Sequence, residues 1–116
     1  PIYCTFATRD LCAAMLRDSG HIQESDAEYV NKKRARKGEP PVEPIYTEAD
    51  AVQSLDQFLS MSYGRSLPIL PGVRLTFLDA GHILGSAIVV LDIESDTSEN
   101  SHRLVFSGDL GRPLAG

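Results

Sequence analysis

His82 and Asp109 are the side chains whose type and placement best suit metal chemistry in this chain. Each stands just past the end of a predicted strand and beside glycine: "DAGHILGSA" carries Gly81 and His82, and "FSGDLGR" carries Asp109 between Gly108 and Gly111. Imidazole nitrogen and carboxylate oxygen are donors that zinc accepts in hydrolytic sites. Glycine lets the backbone approach an ion closely, while rigid strands hold the ligand atoms. The same residues also read as a turn, with His82 capping it and Asp109 closing an Asx-turn. Spacing alone leaves both readings open, because one His and one Asp say less than a paired CxxC. Asp79 lies three residues before His82 and could accept a hydrogen bond from the imidazole nitrogen that faces away from a metal, which would fix the tautomer. The alternative for Asp79 is a turn-forming role.

The elements that must position these residues are strands. In "VRLTFLDAG" Val73, Leu75 and Phe77 alternate with Arg74 and Thr76, the period-two pattern of a half-buried strand, and Gly81 breaks it. "AIVVLDIE" and "RLVFSGD" supply two more strands rich in β-branched or aromatic residues, joined by the polar loop "SDTSENSH". The short apolar "PIYCT" predicts a first strand, and "YGRSLPILPG" reads as a loop.

Upstream the signals are helical. Thr8 is expected to cap a helix carrying Leu11, Cys12, Met15 and Leu16 on one face, with Gly20 ending it. "SDAE" then reads as a capping box of Ser25 and Glu28, predicting a second helix from about Asp26 toward Gly38. "GEPPVEP" is a proline-rich connector. Thr47 and Asp50 form a further cap signature before a third helix with an apolar stripe of Ala51, Val52, Leu55, Phe58 and Leu59.

The run "KKRARKG" holds Lys32, Lys33, Arg34, Arg36 and Lys37. Cations in a last turn complement the negative end of the helix dipole, about 0.3–1 kcal/mol each before salt screening. The same residues could instead contact RNA phosphates, which supply most sequence-independent affinity. A net charge of -5 excludes a generally basic nucleic-acid surface, so any RNA contact must be local.

With 42% hydrophobic residues the composition is globular, and the predicted order of one early strand, three helices and a C-terminal three-stranded unit makes the chain α/β. Cys4 and Cys12 are too few for a disulfide framework and too far apart for a zinc pair, so both are expected as reduced thiols. No apolar run has the length of a membrane span and no secretion signal is visible, which points to a cytoplasmic protein without a membrane partner. The start on a strand-like segment and the end just after Asp109 suggest a piece of a longer protein.

Together, "DAGHILGSA" and "RLVFSGDLGR" resemble the third and fourth metal motifs of the metallo-β-lactamase fold, in the form seen in β-CASP RNA-processing nucleases. "PIYCTFATRDLCAAMLRDSGHIQESDAEYVN" and "PIYTEADA" are similar to the helical stretch before the third motif in bacterial members, so the resemblance covers nearly the whole chain. It implies that residues 1–116 form a partial domain of an αββα sandwich, a mixed sheet covered by helices. It further implies that His82 binds one zinc ion and Asp109 bridges two. The remaining five ligands, an upstream HxHxDH motif and a downstream histidine past a β-CASP insertion, would lie outside the chain. His21 and His102 match no ligand position of that pattern.

The implied parent activity is zinc-dependent hydrolysis of RNA phosphodiesters, exonucleolytic or endonucleolytic, with RNA as partner and a homodimer left open. Two metal ions about 3.5–4 Å apart would lower the pKa of a bridging water toward about 7. Because one fold hosts many chemistries, the alternatives are a hydrolase of a thioester, lactone or small phosphoester, and a non-catalytic RNA-binding or scaffold homologue.

Overall fold

The computed structural model describes residues 1–96 and 98–111. It is α/β, with two sheets and two α-helices. The order is β1 (Ile2–Thr5), α1 (Phe6–Arg36), α2 (Glu48–Ser54), β2 (Phe58–Met61), β3 (Leu67–Leu70), β4 (Val73–Asp79), β5 (Ala87–Ile93) and β6 (His102–Phe106). Short 3₁₀ turns occupy Leu55–Gln57 and Ser98–Asn100. The chain forms two compact units, one of Pro1–Ile2 with Arg9–Phe58, the other of Tyr3–Thr8 with Leu59–Gly116.

A single helix of 31 residues, α1, replaces the two expected helices, and all but its first three residues belong to the first unit. Gly20 does not end it. It is buried, and a Cβ built on it would stand 2.8 Å from both Glu48 Cα and the Thr47 carbonyl oxygen. The glycine is therefore a point of close backbone approach, and α1 runs on through it. Ser25 and Glu28 lie inside that helix, not at its start. At the far side of the contact, Thr47 and Asp50 do form a capping box, each side chain accepting the other residue's backbone N–H at 3.0 Å. Glu24 accepts the Glu48 N–H as well, placing a carboxylate at the electropositive end of α2. The expected apolar stripe is cut short, because α2 stops at Ser54 and Phe58 begins β2.

The second unit is built on an antiparallel meander, order β3-β4-β5-β6. All three of its pairings are antiparallel, so these four strands hold no parallel pair of the mixed sheet that the resemblance implies. Each strand returns through a short connection, which is the geometry hairpins allow. β3 is the strand that the sequence hides. "LPIL" contains Pro68, which has no N–H to donate to a ladder, and β3 accordingly sits at the sheet edge with a register shift between Pro68 and Leu70.

The core of this unit lies on one sheet face. Met61, Leu75 and Phe77 are buried, with Tyr3, Ile69, Ala87, Val89 and Leu91 packed around them. Register explains the grouping: Leu75 pairs with Leu91 and Phe77 with Val89, so alternate residues of β4 and β5 share that face. Full burial of a Leu or Phe side chain stabilises by about 1.5–3 kcal/mol, which fixes the register of β4 against slippage. α1 also begins in this unit. The Thr8 N–H donates to Thr5 Oγ1 at 3.4 Å, so Thr5 occupies the capping position expected of Thr8.

Candidate metal centre

Sheet direction brings the two expected ligands to one edge. β4 and β6 are both antiparallel to β5, so they run the same way and end at the same side of the sheet. His82 follows the end of β4 and Asp109 the end of β6, with one intervening strand between them. The segments past those ends need only bridge about two strand spacings, roughly 10 Å.

They do so. His82 Nε2 lies 3.8 Å from Asp109 Oδ2, with His82 half-exposed and Asp109 largely exposed. The separation exceeds a hydrogen bond. Two donors on one tetrahedral zinc, at bond lengths of about 2.0–2.1 Å, stand roughly 3.3 Å apart. The observed distance is about half an ångström wider. An imidazole nitrogen and a carboxylate oxygen, both exposed and facing each other, are two donors of the kind a divalent cation accepts.

The loop that carries His82 is held through its backbone. Asp79 Oδ1 accepts the Gly81 N–H at 2.8 Å, a turn-forming contact. The His82 N–H donates to Ser86 Oγ at 3.2 Å, and the Ser86 N–H returns to the Ile83 carbonyl at 3.0 Å. The Ser86 carbonyl accepts the Tyr63 hydroxyl at 2.7 Å. Partial burial, and secondarily the Asp79 carboxylate, push the Tyr63 hydroxyl above its ordinary pKa, so it remains a donor throughout the neutral range. Gly81 and Gly85 adopt φ of 68° and 87°, conformations that explain the glycines on either side of His82.

The segment that carries Asp109 is fastened to the same loop. The Gly111 N–H donates to the Ala80 carbonyl at 2.9 Å. A Cβ at Gly111 would overlap the Gly81 carbonyl, so only glycine permits this approach. Among the described residues no group of three or more His, Cys, Asp or Glu side chains converges, so His82 and Asp109 stand as two candidate donors, not a full shell.

Elsewhere, the basic run divides. Arg34 is engaged within its own unit, 3.2 Å from Glu39 and donating through Nε to the Pro40 carbonyl at 2.6 Å. Lys33 lies over the Tyr29 ring, 4.6 Å from its centroid, and Lys32, Arg36 and Lys37 are exposed. Among the described residues no helix is long and apolar enough to cross a membrane. Sequence reasoning did not find Tyr63 or Ser86 as supports of the His82 loop, since neither belongs to a spacing pattern; Ser86 was visible only as part of "GHILGSA".

The chain is similar to proteins named transcription termination factor FttA. It is 34% identical to that of Pyrococcus abyssi over 109 residues, which are 94% of this chain and 14% of the relative. The Thermococcus kodakarensis protein gives the same identity and coverage, and that of Methanocaldococcus jannaschii is 31% identical over 110 residues. These relatives are archaeal, whereas the helical stretch resembled bacterial members. The chain spans about one seventh of the length of the relatives it matches, 14% in each case. No family model matches it.

Proposed function

We propose that this chain is the part of a metal-dependent ribonuclease of the metallo-β-lactamase fold, β-CASP type, that supplies the third- and fourth-motif ligands His82 and Asp109. The observation that carries the reading is the 3.8 Å approach of His82 Nε2 to Asp109 Oδ2 at one sheet edge. The relatives are named transcription termination factors, which supports a role for the whole protein in transcription termination. Two bound zinc ions would supply a water-derived hydroxide and neutralise phosphoryl charge.

The chain's own residues have distinct tasks in this reading. Asp109 presents two carboxylate oxygens and one negative charge, which suits it to sit between two cations that otherwise repel. His82 would present an imidazole nitrogen to one of those cations. Gly81, Gly85 and Gly111 hold both side chains at that edge through backbone geometry.

The test is Asp109→Asn in the full-length parent, with bound zinc measured by elemental analysis beside cleavage of a labelled RNA. The amide keeps the size and loses the charge. Loss of about one equivalent of metal and at least a hundredfold of activity is expected. Two retained zinc ions with wild-type cleavage would refute the ligand role, while a wild-type parent that binds RNA but holds no zinc would favour the non-catalytic alternative.

A further inference from the structure

Thr5 is the buried polar residue of the described chain, 4% exposed, and neither the cap of α1 nor the ligand pair accounts for all of its contacts. Its hydroxyl lies 2.8 Å from the Gly85 carbonyl oxygen. Thr8 Oγ1 reaches the same oxygen at 3.2 Å, and the two hydroxyls stand 2.9 Å apart. Each hydroxyl has one proton. The Gly85 carbonyl therefore receives both, or receives one through a relay from Thr5 to Thr8; either way it is satisfied from the start of α1. Gly85 is three residues past His82 in the loop that ends at Ser86, and its φ of 87° turns that carbonyl toward the threonines. The approach is tight enough that a Cβ on Gly85 would come within 2.8 Å of Thr8 Oγ1.

We infer that Thr5 and Thr8 are positioning residues for the metal centre, a hydroxyl clamp on Gly85 that sets the height of the His82 loop against the end of β1. The inference rests on the ligand role of His82 and Asp109. The clamp acts from the side of the loop opposite its Gly111 fastening in sequence: Gly111 holds Ala80, before His82, and the threonines hold Gly85, after it. Backbone bonds flanking His82 on both sides leave its imidazole little freedom beyond its own rotamers. Hydrogen bonds made directly to a metal-ligating side chain typically change metal affinity by about ten- to a hundredfold, and the clamp, which reaches His82 only through three residues of backbone, is expected to act no more strongly than the lower end.

The test uses full-length parent carrying Thr5→Val, which keeps the shape and removes the hydroxyl, and Thr5→Ser, which restores the hydroxyl. Zinc affinity is measured by competition with a chromogenic chelator, and the cobalt-substituted protein is examined by its visible absorption. Thr5→Val is expected to weaken zinc binding about tenfold and shift the cobalt bands, and Thr5→Ser to return both toward wild type. Thr8→Val should act in the same direction with a smaller effect, and it provides the measurement if Thr5→Val does not fold. Unchanged affinity and spectrum in a folded Thr5→Val or Thr8→Val, or failure of Thr5→Ser to restore them, would overturn the clamp. Absence of a cobalt spectrum in the wild-type parent, or one unaffected by Asp109→Asn, would instead remove the metal centre itself.

Discussion

Gly111 and Gly81 meet backbone to backbone, so closely that any Cβ on Gly111 would overlap the Gly81 carbonyl. This contact, with the Gly111 N–H on Ala80, joins the segment bearing Asp109 to the loop bearing His82. The 3.8 Å separation of the two side chains is thus a property of two glycines as much as of the histidine and the aspartate. Gly111→Ala in the full-length parent should cost about 1–3 kcal/mol, since the clash is with backbone that cannot rotate away. It should also weaken zinc binding at least tenfold. Chelator competition together with a denaturant titration checks both, and an alanine variant with wild-type zinc affinity would show that the two segments do not depend on this contact.

Gly20 presents a case where two effects predict opposite signs. In an exposed helix interior, Gly→Ala stabilises by about 0.8–1 kcal/mol. Here the new methyl would meet Thr47 and Glu48 backbone at 2.8 Å, and overpacking of that kind costs about 1–3 kcal/mol. The clash should win, leaving Gly20→Ala of the parent destabilised by about 1 kcal/mol. Thermal melts decide the matter by sign alone: a raised melting temperature would mean that α1 and the start of α2 separate at little cost.

That same residue shows where the sequence is legible and where it is not. β4, β5 and β6 were readable because alternation or β-branched runs reflect burial on a sheet, and Thr47 with Asp50 because a capping box is local chemistry. Gly20 was misleading: a helix-ending glycine and a glycine at a close contact look identical until the contacting segment, 27 residues away, is in place. Ser25 and Glu28 then completed a false boundary. β3 was missed because Pro68 argues against any strand except one at an edge. At the candidate site, donor type and flanking glycine single out His82 and Asp109 but do not decide between a turn and a metal ligand. Thr5 and Thr8 carry no such signal, because they reach Gly85 across 80 and 77 residues and meet that loop only at its backbone.

The basic run at the end of α1 makes a quantitative prediction for RNA binding. Arg34 is left out of it, being engaged by Glu39 and the Pro40 carbonyl. If Lys32, Lys33 and Arg36 each neutralise one phosphate of single-stranded RNA, replacing all three with Glu lowers the slope of log affinity against log salt by about 2, at roughly 0.7 per contact. The expected loss is partial, since a net charge of -5 leaves no broad basic surface and the same cations also complement the helix dipole. A salt titration of RNA binding by the parent measures it, and an unchanged slope would take this face out of the RNA path.

The 116-residue chain by itself should neither hold a pair of zinc ions nor cleave RNA. Two tetrahedral zinc ions need more donors than one imidazole and one carboxylate, and no third His, Cys, Asp or Glu joins His82 and Asp109 among the described residues. A single carboxylate would leave most of the repulsion between two divalent cations uncompensated. Both side chains are solvent-exposed, so even one ion would compete with water for a site that lacks a dry, low-dielectric surround. Calorimetry at neutral pH should therefore find at most one weakly bound zinc ion per chain, with a dissociation constant far above that of the parent. Cleavage of a fluorescent RNA should be the same with and without chelator. Tight binding of two equivalents, or cleavage that chelator abolishes, would mean that these residues complete their own metal shell and that the ligands expected from the rest of the parent are not required.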